Sequence, residues 1–201
     1  MGNFKKCLSF IHHKLLKNDS FTIISNNCWG GIIYKYFGIK FQTPTVGMYF
    51  YADEYLKFLS NLNYYLSLDM DVKEANSSKY YEEICRRGQN PLIGWLDDVE
   101  IVLLHYKDPK EAREKWDYRK KRINYDRLVV KFNDQNLCND SHIKRFFELD
   151  YKNKICFLGK KYPNKNAYYF RCFKNNGFVV SDTKMRYWRR YFNVISYLNR
   201  I

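Results

Sequence analysis

The sequence has little glycine and proline, with 9 and 4 residues of these types among 201. It contains no internal repeat and no stretch rich in proline, glycine or serine that would mark a linker, so we expect a single domain with a sizeable core. It also lacks a run of about 18–20 apolar residues, which a membrane-spanning helix would need. The basic start of the chain lacks the continuous apolar core and the cleavage site of a secretory signal.

The six cysteines form no Cys-x-x-Cys pair and have no regular spacing. Together with the missing secretory signal, this pattern favours reduced thiols, and we expect a cytoplasmic protein that could also lie at the inner face of the membrane. The four histidines show no ligand spacing with the cysteines. This spacing predicts no structural zinc. We expect no metal site and no bound cofactor, with an acyl thioester or a nucleotide sugar as a co-substrate instead.

Acidic residues are scarce relative to basic ones, because 21 Asp and Glu face 35 Lys and Arg, which gives a net charge of +14. Such an excess predicts an anionic partner or surface, for example an acidic membrane leaflet, a nucleotide-activated substrate or an anionic glycan. The sequence contains none of the familiar motifs of DNA- and RNA-binding proteins, and we do not expect nucleic acid as the partner.

Apolar residues make up 46% of the chain and aromatic residues 19%, which is typical of a folded globular protein. Residues 1–20 form a basic amphipathic segment that precedes a single α/β domain at residues 21–201. The apolar residues of this segment fall near one helical face: Phe4, Leu8, Ile11, Leu15 and Leu16. We interpret the segment as a helix packed on the domain, with a peripheral contact to a membrane surface as the alternative.

Strand and helix patterns alternate from about residue 21 to about residue 160, which predicts an α/β fold. We expect a single three-layer domain, with a mostly parallel sheet and helices on both faces. Thr45–Phe50 and Val99–Tyr106 are predicted strands, and Ala52–Leu68 is a predicted amphipathic helix. Asp108 followed by Pro109 predicts the start of another helix.

The segment Phe21–Tyr36 combines an apolar strand pattern, a small polar turn and a helix pattern. Sites in α/β proteins gather at the carboxyl ends of strands, and the N–H groups that begin a helix favour anions. Cys28 lies at the strand-to-helix elbow, where a nucleophile would lie. Gly30 and Gly31 follow it and allow a substrate or another backbone to approach closely.

Six motifs carry a resemblance that covers residues 21–157. They are SNNCWGG at Ser25–Gly31, TPTVGMYF at Thr43–Phe50, PLIGWLDDVEIVLLHY at Pro91–Tyr106, the W-x-x-R-x-x-R-I-N run from Trp116 to Asn124, VKF at Val130–Phe132 and KNKICF at Lys152–Phe157. With them the chain resembles a bacterial family that is catalogued as a domain of unknown function and often labelled exopolysaccharide biosynthesis protein. The resemblance implies a transferase in capsule or exopolysaccharide assembly, and it supplies no catalytic residues.

We interpret Cys28 and His105 as nucleophile and base, because both would lie at carboxyl ends of strands and a nearby imidazole lowers the pKa of a thiol. Ser25, Asn26 and Asn27 would contact the substrate, the asparagines together with backbone N–H groups forming an oxyanion hole. This set suits acyl transfer from an acyl thioester to a saccharide or lipid-linked sugar. The alternative is that Cys28 is a buried small residue and His105 a hydrogen-bonded strand-end histidine.

Other residues have two interpretations each. Trp29 could stack on a sugar ring or pack under the turn. Arg119 and Arg122 share a helix face and could bind a phosphate of a coenzyme or lipid-linked sugar, or could form a solvated face. Asp97 and Asp98 could hold a divalent metal on a nucleotide sugar, as a glycosyltransferase would require, or could form a turn. A third class of function is a non-catalytic basic module that binds an anionic glycan or an assembly partner.

Overall fold

A computed structural model describes the backbone of residues 2–201 and the side chains of residues 8–201. Met1 and the side chain of Phe4, which belongs to the predicted apolar face of the first segment, lie outside the described residues. The helices are α1 (Gly2–Lys14), α2 (Trp29–Phe37), α3 (Ala52–Ser60), α4 (Leu62–Ser67), α5 (Tyr81–Arg86), α6 (Pro109–Lys120), α7 (Asp140–Glu148), α8 (Met185–Tyr191) and α9 (Val194–Leu198). The strands are β1 (Thr22–Ser25), β2 (Asp71–Lys73), β3 (Leu92–Leu96), β4 (Val99–Leu103), β5 (Leu128–Asn133), β6 (Asn153–Leu158) and β7 (Ala167–Tyr169).

Four strands form a parallel sheet in the order β1-β5-β6-β7. Successive residues of a strand point to opposite faces. Ile23 and Val129 therefore pack with α2, α8 and α9, whereas Ile24 and Val130 pack with α3, α6 and α7 on the other face. This arrangement confirms the predicted α/β fold with a mostly parallel sheet and helices on both of its faces.

The remaining strands form a separate antiparallel sheet in the order β2-β3-β4. The predicted strand Val99–Tyr106 becomes β4, which ends at Leu103 and pairs with β3 rather than with the parallel sheet. The reason is the connection, since only Asp97 and Asp98 separate β3 from β4, and so short a link can join only antiparallel strands. The expectation that His105 ends a strand is therefore wrong.

Thr45–Phe50 forms a loop and not the predicted strand. It makes one β-bridge, in which Tyr49 and Val102 exchange N–H···O bonds of 3.0 and 2.9 Å. Gly47 has a φ of +75°, which interrupts any extended run. The N–H of Phe50 donates to the carbonyl of Asn26 at 3.0 Å. The loop thus lies between the end of β1 and the antiparallel sheet.

Of two predicted helices, one is interrupted in the structure and the other begins at its predicted residue. The single helix predicted over Ala52–Leu68 is broken at Asn61, whose φ of −143° lies outside the helical region. The predicted start at Asp108 is confirmed, because its Oδ1 accepts the N–H of Glu111 at 2.8 Å and the Glu111 carboxylate accepts the N–H of Lys107 at 2.9 Å. Across residues 2–201, no helix has the length and apolarity needed to cross a bilayer.

Candidate functional site

The turn between β1 and α2 is ordered by Asn27. Its Oδ1 accepts hydrogen bonds from the Ser25 hydroxyl at 3.2 Å and from the Trp29 N–H at 3.1 Å. Cys28 is the N-cap residue and makes no capping bond through its side chain. Gly30 lies against the strand, and a Cβ there would come within 3.3 Å of the Ser25 side chain. Glycine therefore lets α2 lie close to β1.

A buried network of polar side chains lies behind this turn, at the carboxyl ends of β1 and β5. The Asn26 amide donates to Oδ1 of Asn133 at 2.8 Å, and the Asn27 amide donates to Oδ1 of Asp182 at 2.8 Å. Both amides are thus engaged inside the protein. The predicted oxyanion role of the Asn26 and Asn27 side chains is replaced by a structural one, and Ser25 is buried with them.

The centre of the network is an ion pair between Lys131 and Asp182, both of which are fully buried. The Lys131 ammonium also donates to Oδ1 of Asn27 at 3.1 Å, and the Asn133 amide donates to Oδ2 of Asp182 at 2.8 Å. Burial lowers the pKa of Lys131, and the Asp182 carboxylate opposes that shift. A buried ammonium without a counter-charge would be costly, so Asp182 is needed where it is.

Sequence reasoning missed this pair. A signal existed for Lys131, because a lysine inside the apolar strand Leu128–Asn133 must find a buried partner. No signal existed for Asp182, which lies in an irregular segment 51 positions further along the chain.

A cavity of about 530 Å³ opens beside the elbow, and Cys28 and His105 both line it. Both residues make hydrogen bonds to the loop at residues 45–50. The Cys28 thiol donates weakly to the carbonyl of Met48, with 3.8 Å between sulfur and oxygen, and the N–H of His105 donates to the carbonyl of Gly47 at 3.0 Å. The structure thus places the predicted nucleophile and base on the walls of one cavity, although β1 and β4 belong to different sheets.

The Cys28 thiol is not activated in the resting protein. Burial raises its pKa, and the Asp182 carboxylate raises it further, while Lys131 and Lys35 lower it. Near neutral pH the sulfur is therefore protonated, and chemistry at this atom requires a base. The imidazole of His105, which is exposed and lines the same cavity, is the candidate for this base.

The charged side chains on the cavity walls are cationic. Lys35 comes from α2, and Lys115 and Arg119 come from α6, whereas no Asp or Glu of residues 8–201 lines the cavity. Lys115 pairs with Glu111, but Lys35 and Arg119 form no ion pair within the part of the chain that the structure describes. Unpaired cations around a cavity raise the local concentration of anions. The site thus favours an anionic ligand.

Tyr106 is a cavity residue that sequence reasoning did not single out. Its hydroxyl donates to the carbonyl of Val46 at 2.5 Å and accepts a hydrogen bond from Arg119 at 3.0 Å. Burial raises the pKa of Tyr106, so the phenol keeps its proton. Its place directly after His105 in the Leu-His-Tyr motif was the available signal.

Arg119 and Arg122 do not act together at this cavity. The Arg119 guanidinium lies 5.1 Å from the centroid of the Phe41 ring, on the cavity side. Arg122 donates to the carbonyl of Phe41 at 3.3 Å and lines a separate depression with Lys40. The two arginines thus line different depressions, which gives no support to the predicted shared phosphate site.

Trp29 and the two glycines have different positions. The Trp29 side chain is fully buried, with edge contacts to Phe157 at 5.2 Å and to Trp188 at 6.2 Å between ring centroids. It packs under the turn, and the predicted stacking on a sugar ring is wrong. Gly31 does line the cavity, where a Cβ would come within 3.1 Å of Val46.

Asp97 and Asp98 form the turn between β3 and β4 and do not line the Cys28 cavity. Asp97 accepts a hydrogen bond from Tyr64 at 2.8 Å, and Asp98 accepts one from Tyr65 at 2.8 Å. Asp98 also pairs with Lys57 at 3.0 Å. The turn interpretation therefore applies. Among residues 8–201, no three His, Cys, Asp or Glu side chains converge as metal ligands.

Comparison with known proteins places this site in a family. A family described as Domain of unknown function (DUF1919) matches residues 2–199. The chain belongs to the DUF1919 family. It is also 30% identical over 186 residues to an uncharacterized protein of Haemophilus influenzae, an alignment that covers 91% of this chain and 84% of that protein. Neither description names an activity.

Proposed function

We propose that this DUF1919 protein is a transferase of bacterial exopolysaccharide or capsule biosynthesis. Cys28 would take an acyl group from a phosphate-bearing acyl thioester and pass it to a hydroxyl of a saccharide or lipid-linked sugar, at the cytoplasmic face of the membrane. The observation that carries the proposal is the cavity at Cys28, which presents His105 and whose charged walls are all cationic.

The two transfers balance through Cys28 and His105. In the first, His105 takes the thiol proton as the Cys28 sulfur attacks the thioester carbonyl, and the donor leaves as a thiolate that regains this proton. In the second transfer, the oxygen of the sugar hydroxyl attacks the acyl-Cys28 carbonyl while His105 takes the proton of that hydroxyl. The Cys28 thiolate then leaves and is protonated again. Because burial raises the pKa of the Cys28 thiol, the first transfer requires His105 to remove its proton.

Other walls of the cavity have roles in binding. Lys35 and Arg119 form no ion pair with a carboxylate of residues 8–201 and would hold the donor phosphates. The Tyr106 hydroxyl is fixed between Arg119 and the Val46 carbonyl, where it orients the guanidinium. The N–H groups at the start of α2, beside Gly31, would stabilise the developing oxyanion in place of the asparagine amides.

Acetyl-coenzyme A is a suitable probe of the first transfer. We expect mass spectrometry of digested protein to find an acetyl group on Cys28 and little on Cys85 or Cys172, which are exposed but lie outside the cavity. Arg119→Gln should weaken this labelling, and His105→Ala should slow it. Arg145→Gln, which removes an exposed cation outside the cavity, is the matched control. Labelling of the three cysteines in proportion to exposure would refute the proposal.

One observation favours a second function, a module that binds an anionic glycan without chemistry. The pKa of Cys28 is raised and not lowered, as expected for a packing residue. In that case a sulfated oligosaccharide should bind in calorimetry, and the affinity should fall steeply with salt and on the Arg119→Gln change. Cys28→Ser would then leave binding intact, and no acetyl transfer would be found.

A further inference from the structure

Helix α1 packs on the domain through a narrow polar side. The His12 ring stacks on Tyr36 of α2, with 3.9 Å between ring centroids. Ser9 lies one turn earlier and so close to Gly38 that a Cβ there would come within 2.9 Å of its Oγ. Leu16, one turn after His12, is partly buried against the same core. The inner side of α1 is therefore defined by Ser9 and His12, and Leu16 extends it just past the end of the helix.

The apolar stripe of α1 points away from the domain. Leu8, Ile11 and Leu15 are 39%, 50% and 51% exposed. Leu8 and Ile11 belong to α1, and Leu15 follows it in a turn, where its N–H donates to the carbonyl of His12, so their spacing of three and four residues places them along one side. In most surface helices the apolar face is the one that packs on the core. Here the helix is attached by Ser9 and His12, and three large aliphatic side chains are left in solvent.

The surroundings of this stripe are basic. Residues 1–18 contain four lysines and no Asp or Glu. The first carboxylate in the chain, Asp19, pairs with His13 at 2.9 Å. A helix with an apolar face, basic flanks and no acidic residue has the composition of segments that lie in the interface of an anionic membrane.

Helix α8 adds cations beside α1. The Arg189 guanidinium lies 5.9 Å from the centroid of the Tyr36 ring, on which His12 also stacks. Burial lowers the pKa of His12, and the charge of Arg189 lowers it further. Arg186 and Arg190 are exposed, and none of the three arginines forms an ion pair with a described residue.

We propose that α1 and α8 form a docking surface for a bilayer that contains anionic phospholipid. Leu8, Ile11 and Leu15 insert at the headgroup boundary, and the arginines of α8 contact the lipid phosphates. A second copy of this chain would fit the surface poorly, because a symmetric dimer would bring the same cations against each other. The proposal is independent of the chemistry at Cys28.

Vesicle sedimentation of the full chain is the experiment. The protein should pellet with vesicles of phosphatidylcholine and phosphatidylglycerol, should remain in solution with phosphatidylcholine alone, and should be released by added salt. Ile11→Ser with Leu15→Ser should weaken binding at least about tenfold, from the loss of buried aliphatic groups. Arg186→Gln with Arg190→Gln should weaken it by a similar factor through the lost phosphate contacts.

Leu137→Asn is the matched control. Leu137 is 56% exposed on the loop after β5 and has a φ of +61°, which asparagine tolerates, so this variant should fold and bind vesicles normally. Circular dichroism should show native helix in every variant used. Equal binding to both kinds of vesicle, or unchanged binding of the α1 variant, would overturn the proposal. So would light scattering that shows a dimer which only the α1 variant loses.

Discussion

Replacing Asp182 by asparagine should test how much the buried network contributes. The side chain keeps its shape, but Lys131 loses its counter-charge in a fully buried position. Asp182 also accepts the amides of Asn27 and Asn133, each at 2.8 Å. An asparagine can accept through one oxygen only, so its own NH₂ must face one of these donors. Both effects destabilise the folded state.

The magnitude follows from the loss of a buried partner. Breaking a buried ion pair from one side costs about 3–5 kcal/mol, and the retained oxygen places this change at the lower end, about 3 kcal/mol. With a urea m-value of about 2 kcal/mol per molar, the unfolding midpoint should fall by about 1.5 M at constant m. Urea unfolding near neutral pH, followed by circular dichroism, measures both quantities.

Asp140→Asn is the matched control for Asp182→Asn. Asp140 also pairs with a lysine, Lys160, but on an exposed surface, so the same chemical change should cost less than about 1 kcal/mol. Lys131→Met combined with Asp182→Leu should recover much of the lost stability, since apolar groups can replace a buried pair. If Asp182→Asn shifts the midpoint no more than Asp140→Asn does, the reasoning about the network is refuted.

Three other predictions concern reactivity, pH and helix capping. Cys28 should alkylate with iodoacetamide more slowly than exposed Cys85, because burial raises the pKa of the Cys28 thiol; peptide mass spectrometry gives both rates, and a faster Cys28 would contradict this. Burial raises the pKa of Tyr34 and Tyr55, so the stability they contribute is present below about pH 10 and is lost as the pH rises further. Ultraviolet titration should find both phenols ionising only together with unfolding. Asp108→Ala should cost about 1 kcal/mol in urea unfolding through the lost cap of α6, and no change would show that α6 starts without it.

The strand, turn and helix around Cys28 were predictable because each depends on local pattern. The apolar run before Ser25, the polar turn and the helical period after Gly31 are all short-range signals. The parallel sheet followed from the alternation of strands and helices. From these features the position of Cys28, at the turn between a strand and a helix, could be predicted.

The pairing of β4 and the relative positions of Arg119 and Arg122 could not be predicted from local pattern. A fully buried strand such as Val99–Leu103 has the same apolar pattern in a parallel and in an antiparallel sheet, so the pattern could not show where β4 pairs. The two-residue link at Asp97 was the overlooked clue. Arg119 and Arg122 line different depressions, and this depends on the path of residues 38–42, which cannot be read from the helical spacing of the two arginines.

The Lys131–Asp182 pair also has a consequence for when the protein can fold during its synthesis. Lys131 belongs to a central strand, but its counter-ion is synthesised 51 residues later. Until that segment has left the ribosome, the sheet holds an ammonium group without its partner carboxylate, and the nearby amides of Asn27 and Asn133 lack an acceptor. A chain that stops before Asp182 therefore cannot complete the interior of its own sheet. The ion pair makes stable folding conditional on translation beyond Asp182.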